Sequence, residues 1–181
     1  RDMRLHRFYV EQPLGEDVVI TDGSILKQWT NVFRYQKGDF VILFDGTGLD
    51  STYSIEAISS IVCNLERKSV TPAYIPEKRI TLYLSVIKKD LFELAVQKAT
   101  ELGVSTIVPI LSKRVLIKNL DEARLRKIAI ESSEQCGRGD IPMILSPLTL
   151  VDAFSAGPSH EENYYLHMDG ALFDEKRFKE M

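Results

Sequence analysis

The chain has 181 residues, a net charge of −3 and 44% hydrophobic residues, enough for one large domain or two small ones with a real core. No apolar run is long enough to span a bilayer, and the charged N-terminus has no apolar stretch of the secretory kind behind it. Two cysteines, Cys63 and Cys136, are too few for a disulfide framework and lack metal-ligand spacing, so the expectation is a cytoplasmic protein with no metal.

Taken in chain order, residues 1–74 read as short apolar runs between turn signals. Asp17 to Ile20, Asp39 to Phe44, Thr52 to Ile58 and Ile61 to Leu65 have strand character, and Asp22-Gly23 and Asp45-Gly46-Thr47-Gly48 mark turns. The pattern predicts a small antiparallel β-barrel with one short helix near Leu26 to Phe33. Two spots mix cations with aromatics, Met3 to Tyr9 and Phe33 to Asp39. Arginine forks onto phosphate, and aromatic rings stack on bases, so both spots are candidates for nucleic acid. The plainer reading is a set of surface cations near strand ends. Thr71 to Glu77, with its paired prolines, reads as a linker.

Residues 75–181 change period. Ile80 to Val86 is nearly all apolar, as in a strand buried on both faces. Asp90 is placed to cap the next helix, whose core face is Phe92, Ala95, Val96, Ala99 and Leu102. Gly103 suits the left-handed position after that helix. Thr106 to Leu111 is a second strand, which completes a βαβ unit and implies a parallel sheet. A helix from about Leu120 to Gln135 follows, then a short strand at Pro142 to Leu145, a helical turn at Val151 to Phe154 and a strand at Asn163 to His167. A phosphate-binding loop, a dinucleotide fingerprint and a nucleophile elbow are all missing. The histidines His6, His160 and His167 have no metal partners nearby in the sequence, and ordinary packing or surface roles suit them better.

Five stretches then carry a resemblance: Arg4 to Tyr9, Val32 to Asp39, Leu43 to Gly46, Gln97-Lys98-Ala99-Thr100-Glu101-Leu102-Gly103-Val104, and Glu131-Ser132-Ser133-Glu134-Gln135-Cys136-Gly137-Arg138. In this order the chain resembles the small-subunit ribosomal RNA uridine-N3 methyltransferases, the RsmE family of the SPOUT, or trefoil-knot, class. The resemblance implies an α+β protein of two domains. An N-terminal PUA-like barrel over 1–74 would bind RNA, and a SPOUT α/β methyltransferase domain would occupy 75–181. It implies S-adenosylmethionine as methyl donor, small-subunit (16S) ribosomal RNA as substrate, and a homodimer. Two family motifs are not in this sequence: a Gly-Pro-Glu-Gly-Gly segment, and a later Leu-Arg-x-Glu-Thr-Ala segment of the knot. The expectation is therefore a truncated form that binds the cofactor weakly and associates through an apolar edge.

A uridine must leave its stack to be methylated, and RNA contacts have to supply that energy. Arg4, His6, Arg7 and Arg34 are assigned to RNA on this ground. Lys88, Lys98, Lys113, Arg114 and Arg138 are assigned to it from the second domain. Lys98 and Glu101 have the alternative of pairing with each other, three residues apart on one helix. Glu101, Glu134 and Gln135 are candidates for the active site. Leu166, His167, Met168, Asp169 and Gly170 are candidates for adenosine binding. No residue stands out as general base. The competing readings are a non-catalytic RNA-binding module and an α/β enzyme acting on a small molecule.

Overall fold

The computed structural model describes residues 5–112, 120–156, 163–165 and 170. The first part is a five-stranded mixed sheet in the order β1-β3-β4-β5-β2. Its strands are β1 (Arg7–Tyr9), β2 (Asp17–Ile20), β3 (Phe40–Phe44), β4 (Leu49–Ile58) and β5 (Cys63–Pro72). The expected all-antiparallel arrangement is corrected at one edge. There β1 runs parallel to β3, with Phe8 opposite Leu43. This is possible because β1 and β3 are not joined by a hairpin: β2 and a helix lie between them. The stretch Arg7-Phe8-Tyr9 is therefore itself a strand, hidden from sequence reading by its cation and its length of three residues.

Register shifts in β4 against β5, at Thr52/Tyr53 and Ile55/Ala57, bend this sheet around its core. The core is Phe8, Val18, Ile20, Leu26, Trp29, Val41, Leu43, Tyr53, Ile55, Cys63 and Leu65, all buried. The alternation of buried Val18 and Ile20 with exposed Asp17 and Val19 shows why β2 forms: one face is core and the other faces water. Burial pushes the Cys63 thiol up to about 11, so this cysteine is an inert packing group. Helix α1 (Gly23–Lys27) starts at Asp22, whose side chain accepts the amides of Ser24 and Ile25. It runs into a wider π-helical turn over Gln28–Phe33 that seats Trp29 in the core.

The second part is a parallel sheet built on β6 (Thr81–Ser85) and β7 (Thr106–Leu111). Two short pieces, β8 (Met143–Ile144) and β9 (Leu148–Thr149), pair with opposite ends of β7, with Pro147 interrupting the edge between them. Helices α2 (Lys89–Glu101) and α3 (Glu122–Cys136) pack on one face, and α4 (Leu150–Ala156) packs on the other. Ile107 and Leu111 point to α2 and α3, while Val108 and Ile110 point to α4 and its buried Ala153. Among the described residues no helix is long and apolar enough to cross a membrane.

Three local expectations change. Asp90 does not cap α2; the cap position is Lys88, which makes no capping bond, and Asp90 sits in the first turn where its charge meets the helix dipole. Leu102, expected in the core, is 82% exposed because the helix ends at Glu101 and Leu102 turns away. Strand β6 is only half-buried along its length, since it is the sheet edge. Gly103 does take positive φ, at 90°, and the helix closes in a Schellman arrangement. The Val104 amide reaches the Ala99 carbonyl, and the Gly103 amide reaches that of Thr100. Of the strand expected at Asn163 to His167, residues 163–165 are not in a strand and the rest lies outside the described residues.

Candidate functional site

The two sheets meet where β1 passes the C-terminal end of α3, and Arg7 is the centre of that seam. Its Nε and Nη2 fork onto the Asp50 carboxylate at 2.8 and 2.6 Å. Nη1 donates to the Ser133 carbonyl at 2.9 Å, and Nη2 also reaches the Arg138 carbonyl at 3.2 Å. The guanidinium carbon lies 4.2 Å from the centre of the Phe44 ring. This cation therefore neutralises the carbonyl end of α3, where a positive charge is favoured. Its side chain is only 10% exposed. Arg7 is thus corrected from an RNA contact to a seam residue: each of its three nitrogens is engaged within the chain.

Arg138 needs the same correction. Its residue exposure is 1%. Nε and Nη2 hold Asp140 at 2.6 and 3.0 Å, and Nη1 donates to the carbonyls of Val104 and Thr100 at 2.6 and 3.2 Å. It ties the segment after α3 to the end of α2. Gly139, next in the chain, brings three backbones together. Its amide donates to the Tyr74 carbonyl at 2.6 Å, and its carbonyl accepts the Gly48 amide at 3.1 Å. A β-carbon at Gly139 would lie 2.6 Å from that of Ala73, so only glycine fits this crossing.

Glu134 also faces the seam, with Oε1 accepting the Tyr9 amide at 2.9 Å. Burial raises its carboxyl above the ordinary value, with Glu131 adding to the rise and the Tyr9 amide and Arg7 opposing it. Lower on α3, Arg126 pairs with Glu11 at 2.5 Å and touches the Tyr9 hydroxyl. Glu134 separates two clefts. One, of about 730 Å³, runs between β1, α1 and α3 past Glu11, Asp22, Lys127 and Glu131. The other, of about 680 Å³, lies between the start of β1, Phe33 and the end of α3.

The cations that stay free are fewer than expected. His6 is exposed, its ring centre 4.4 Å from that of Phe33. Arg34 is exposed at the end of the π-helical turn with φ of 55°, in the left-handed region a non-glycine residue rarely adopts. Lys88 is exposed at the start of α2. Lys98 pairs with Glu101 at 2.8 Å on the outer face of α2, and Gln97 donates to the other Glu101 oxygen at 2.8 Å. The Lys98 hydrogen bond holds the Glu101 carboxyl below its ordinary value. These two therefore complete each other and do not meet Glu134 or Gln135. Gln135 is exposed at the second cleft. Arg4, Lys113, Arg114, Leu166, His167, Met168 and Asp169 lie outside the described residues, and Gly170 is exposed. The residues missed from sequence are Asp50, Asp140, Gly48 and Gly139. Asp50, Gly48 and Gly139 carry no local signal because their partners are distant in the chain, whereas Asp140 pairs with Arg138 two residues before it and only the fold buries that pair.

Described residues that follow the carboxyl ends of β6 and β7, where a parallel sheet takes its ligands, are Val86, Ile87 and Lys88 after one strand and Ser112 after the other. They offer one buried and one exposed apolar side chain, one cation and one hydroxyl. Among the described residues no group of three or more His, Cys, Asp or Glu could hold a metal ion.

Comparison with known proteins gives a consistent picture. Residues 75–180 match the family model described as an RNA methyltransferase domain. The chain is 34% identical over 171 residues to the ribosomal RNA small subunit methyltransferase E of Aquifex aeolicus, covering 90% of this chain and 70% of that protein. It is 26% identical over 152 residues to the protein of the same name from Rickettsia conorii, covering 83% and 62%. The crystal structure of a ribosomal RNA small subunit methyltransferase E from Neisseria gonorrhoeae, bound to S-adenosyl methionine, superposes with a TM-score of 0.79 at 28% identity, covering 86% of this chain and 67% of that one. The chain thus spans roughly two thirds of the length of these relatives.

Proposed function

The chain belongs to the RNA methyltransferase family of the ribosomal RNA small subunit methyltransferase E type, and from that premise we propose that it acts in S-adenosylmethionine-dependent methylation of N3 of a uridine in small-subunit ribosomal RNA. The observation that carries this reading is the family match over 75–180, joined to a separate cation-and-aromatic sheet in front of it. Oligomeric action as a homodimer and a PUA-like role for the first sheet are parts of the same proposal.

When bound, S-adenosylmethionine supplies a methyl group already activated by its sulfonium charge. What this chain's own residues do is hold RNA and fix geometry. Of the residues assigned to RNA that the structure describes, Arg34 after the π-helical turn, His6 before β1 and Lys88 at the start of α2 are exposed, with no polar side-chain partner among the described residues. Arg7, which donates to the Ser133 and Arg138 carbonyls, and Glu134 fix how the two sheets face each other. A rigid seam lets binding energy gathered on the first sheet position a base on the second.

The test is methyl transfer to unmodified small subunits with labelled S-adenosylmethionine, followed by nucleoside mass spectrometry. The expected product is 3-methyluridine. Label at another position would overturn the N3 assignment. RNA binding with no calorimetric cofactor binding would favour the non-catalytic module instead.

A further inference from the structure

We propose that the cleft between β1 and the end of α3 is a pocket for one unstacked base of single-stranded RNA, with His6 as its stacking platform and the amides of Gln28 and Gln135 reading the base edge. This rests on the RNA methyltransferase reading and adds to it a subsite and the chemistry of its occupant.

The cleft is about 680 Å³, within the range of small-ligand sites. One wall is the exposed His6 ring, propped against half-buried Phe33 with centres 4.4 Å apart and planes 43° apart. Phe33 is in turn stacked at 13° on buried Tyr35, so the platform is backed by the core and does not yield. A flat, rigid, solvent-facing ring suits a base, because every base has a π-face.

The rest of the lining selects a base over a phosphate. Gln28 and Gln135 are exposed in the cleft, and their side-chain amides have no hydrogen-bond partner among the described residues. Each offers a donor beside an acceptor, the pattern that a base edge presents and a phosphate does not. The charged groups of the floor, Arg7 and Glu134, are already satisfied by Asp50, by the α3 carbonyls and by the Tyr9 amide. They give the site shape without a net pull on an ion. Exposed Arg34, next to Phe33 in the chain, is available for the adjoining phosphate. The walls come from both sheets, so the pocket exists only while the seam is closed.

The experiment measures affinity for a fluorescent single-stranded oligoribonucleotide containing uridines, with thermal melts to confirm folding. His6→Ala should weaken binding by roughly five- to 150-fold, the range of one lost base–aromatic stack. His6→Phe, which keeps a flat ring and removes any charge, should stay within about twofold of the parent, since stacking tolerates the exchange. Gln135→Ala, on the opposite wall, should weaken binding independently. Replacing each uridine in turn with an abasic nucleotide should reveal a single position where the loss is large in the parent and absent in His6→Ala. If His6→Phe is as weak as His6→Ala, the contact is to phosphate and the proposal fails. If neither His6→Ala nor Gln135→Ala changes binding, the pocket assignment fails while the RNA reading stands. A parent chain with no RNA affinity overturns both.

Discussion

At the scale of single residues, charge placement separates two kinds of arginine. Arg7 and Arg138 are consumed by carboxylates and carbonyls, whereas Arg34 is exposed and held at φ of 55°. A non-glycine residue in that region costs roughly 1 kcal/mol, and such strain gathers at functional positions. Arg34→Gly should therefore raise stability by up to about 1 kcal/mol in urea unfolding while weakening RNA binding and lowering the salt slope by about one. A variant that is both less stable and equally tight for RNA would show that the conformation serves packing alone. Glu134 makes a pH prediction. Its folded carboxyl is raised above the ordinary value of 4.5, so in the window just above that value the folded state holds more proton than the unfolded one. Its contribution is present at low pH and is lost as pH rises through the folded value. Glu134→Gln keeps an acceptor for the Tyr9 amide and removes the titration. Stability measured from pH 4 to pH 7 should fall less in the variant than in the parent, and an equal fall in both would place the titrating group elsewhere.

At the scale of elements, helix ends decide where the chain goes. Gly103 at φ of 90° closes α2, and a β-carbon there would stand 3.2 Å from Pro76. Gly103→Ala should cost on the order of 1 kcal/mol or more, from backbone strain plus the displaced proline. Equal urea midpoints for the parent and Gly103→Ala would contradict it. The βαβ unit, its helix stop and the helix of the Glu131 to Arg138 stretch were all readable, since periodicity and glycine placement are local signals. The exposure of Leu102 was not, because helical spacing marks a face only while the helix lasts. Nor was the direction of β1, because parallel pairing with β3 is a contact between strands more than thirty residues apart.

At the scale of the whole molecule, the seam joins the two sheets through Arg7 and the carbonyls it meets at Ser133 and Arg138, through Glu134 and through the Gly48–Gly139 crossing. Removing Arg7 takes the partner from Asp50 and a donor from the carbonyls of Ser133 and Arg138 in a half-buried place, at a cost on the order of 3 kcal/mol. Gly139→Ala puts a β-carbon 2.6 Å from that of Ala73 and 3.1 Å from the Gly48 α-carbon, which forces the crossing apart. Either change should split one cooperative unfolding transition into two, followed by circular dichroism for the helices and by Trp29 fluorescence for the first sheet. Coincident transitions in both variants would show that the sheets are coupled by something other than this seam.

The sequence by itself determined the two textures of the chain, the parallel βαβ core, the glycine stops and the family, because each is written in local spacing or in contiguous motifs. It also singled out His6 and Arg34, whose exposure beside aromatics the fold keeps. Tertiary structure alone decided which arginines are free. Arg7 and Arg34 carry the same side chain beside the same kind of neighbours, and they differ only in whether Asp50 and the end of α3, far along the chain, fold onto them. A guanidinium satisfies whatever carboxylate or carbonyl the fold brings within reach, and that reach is set by packing between sheets, which no local pattern records.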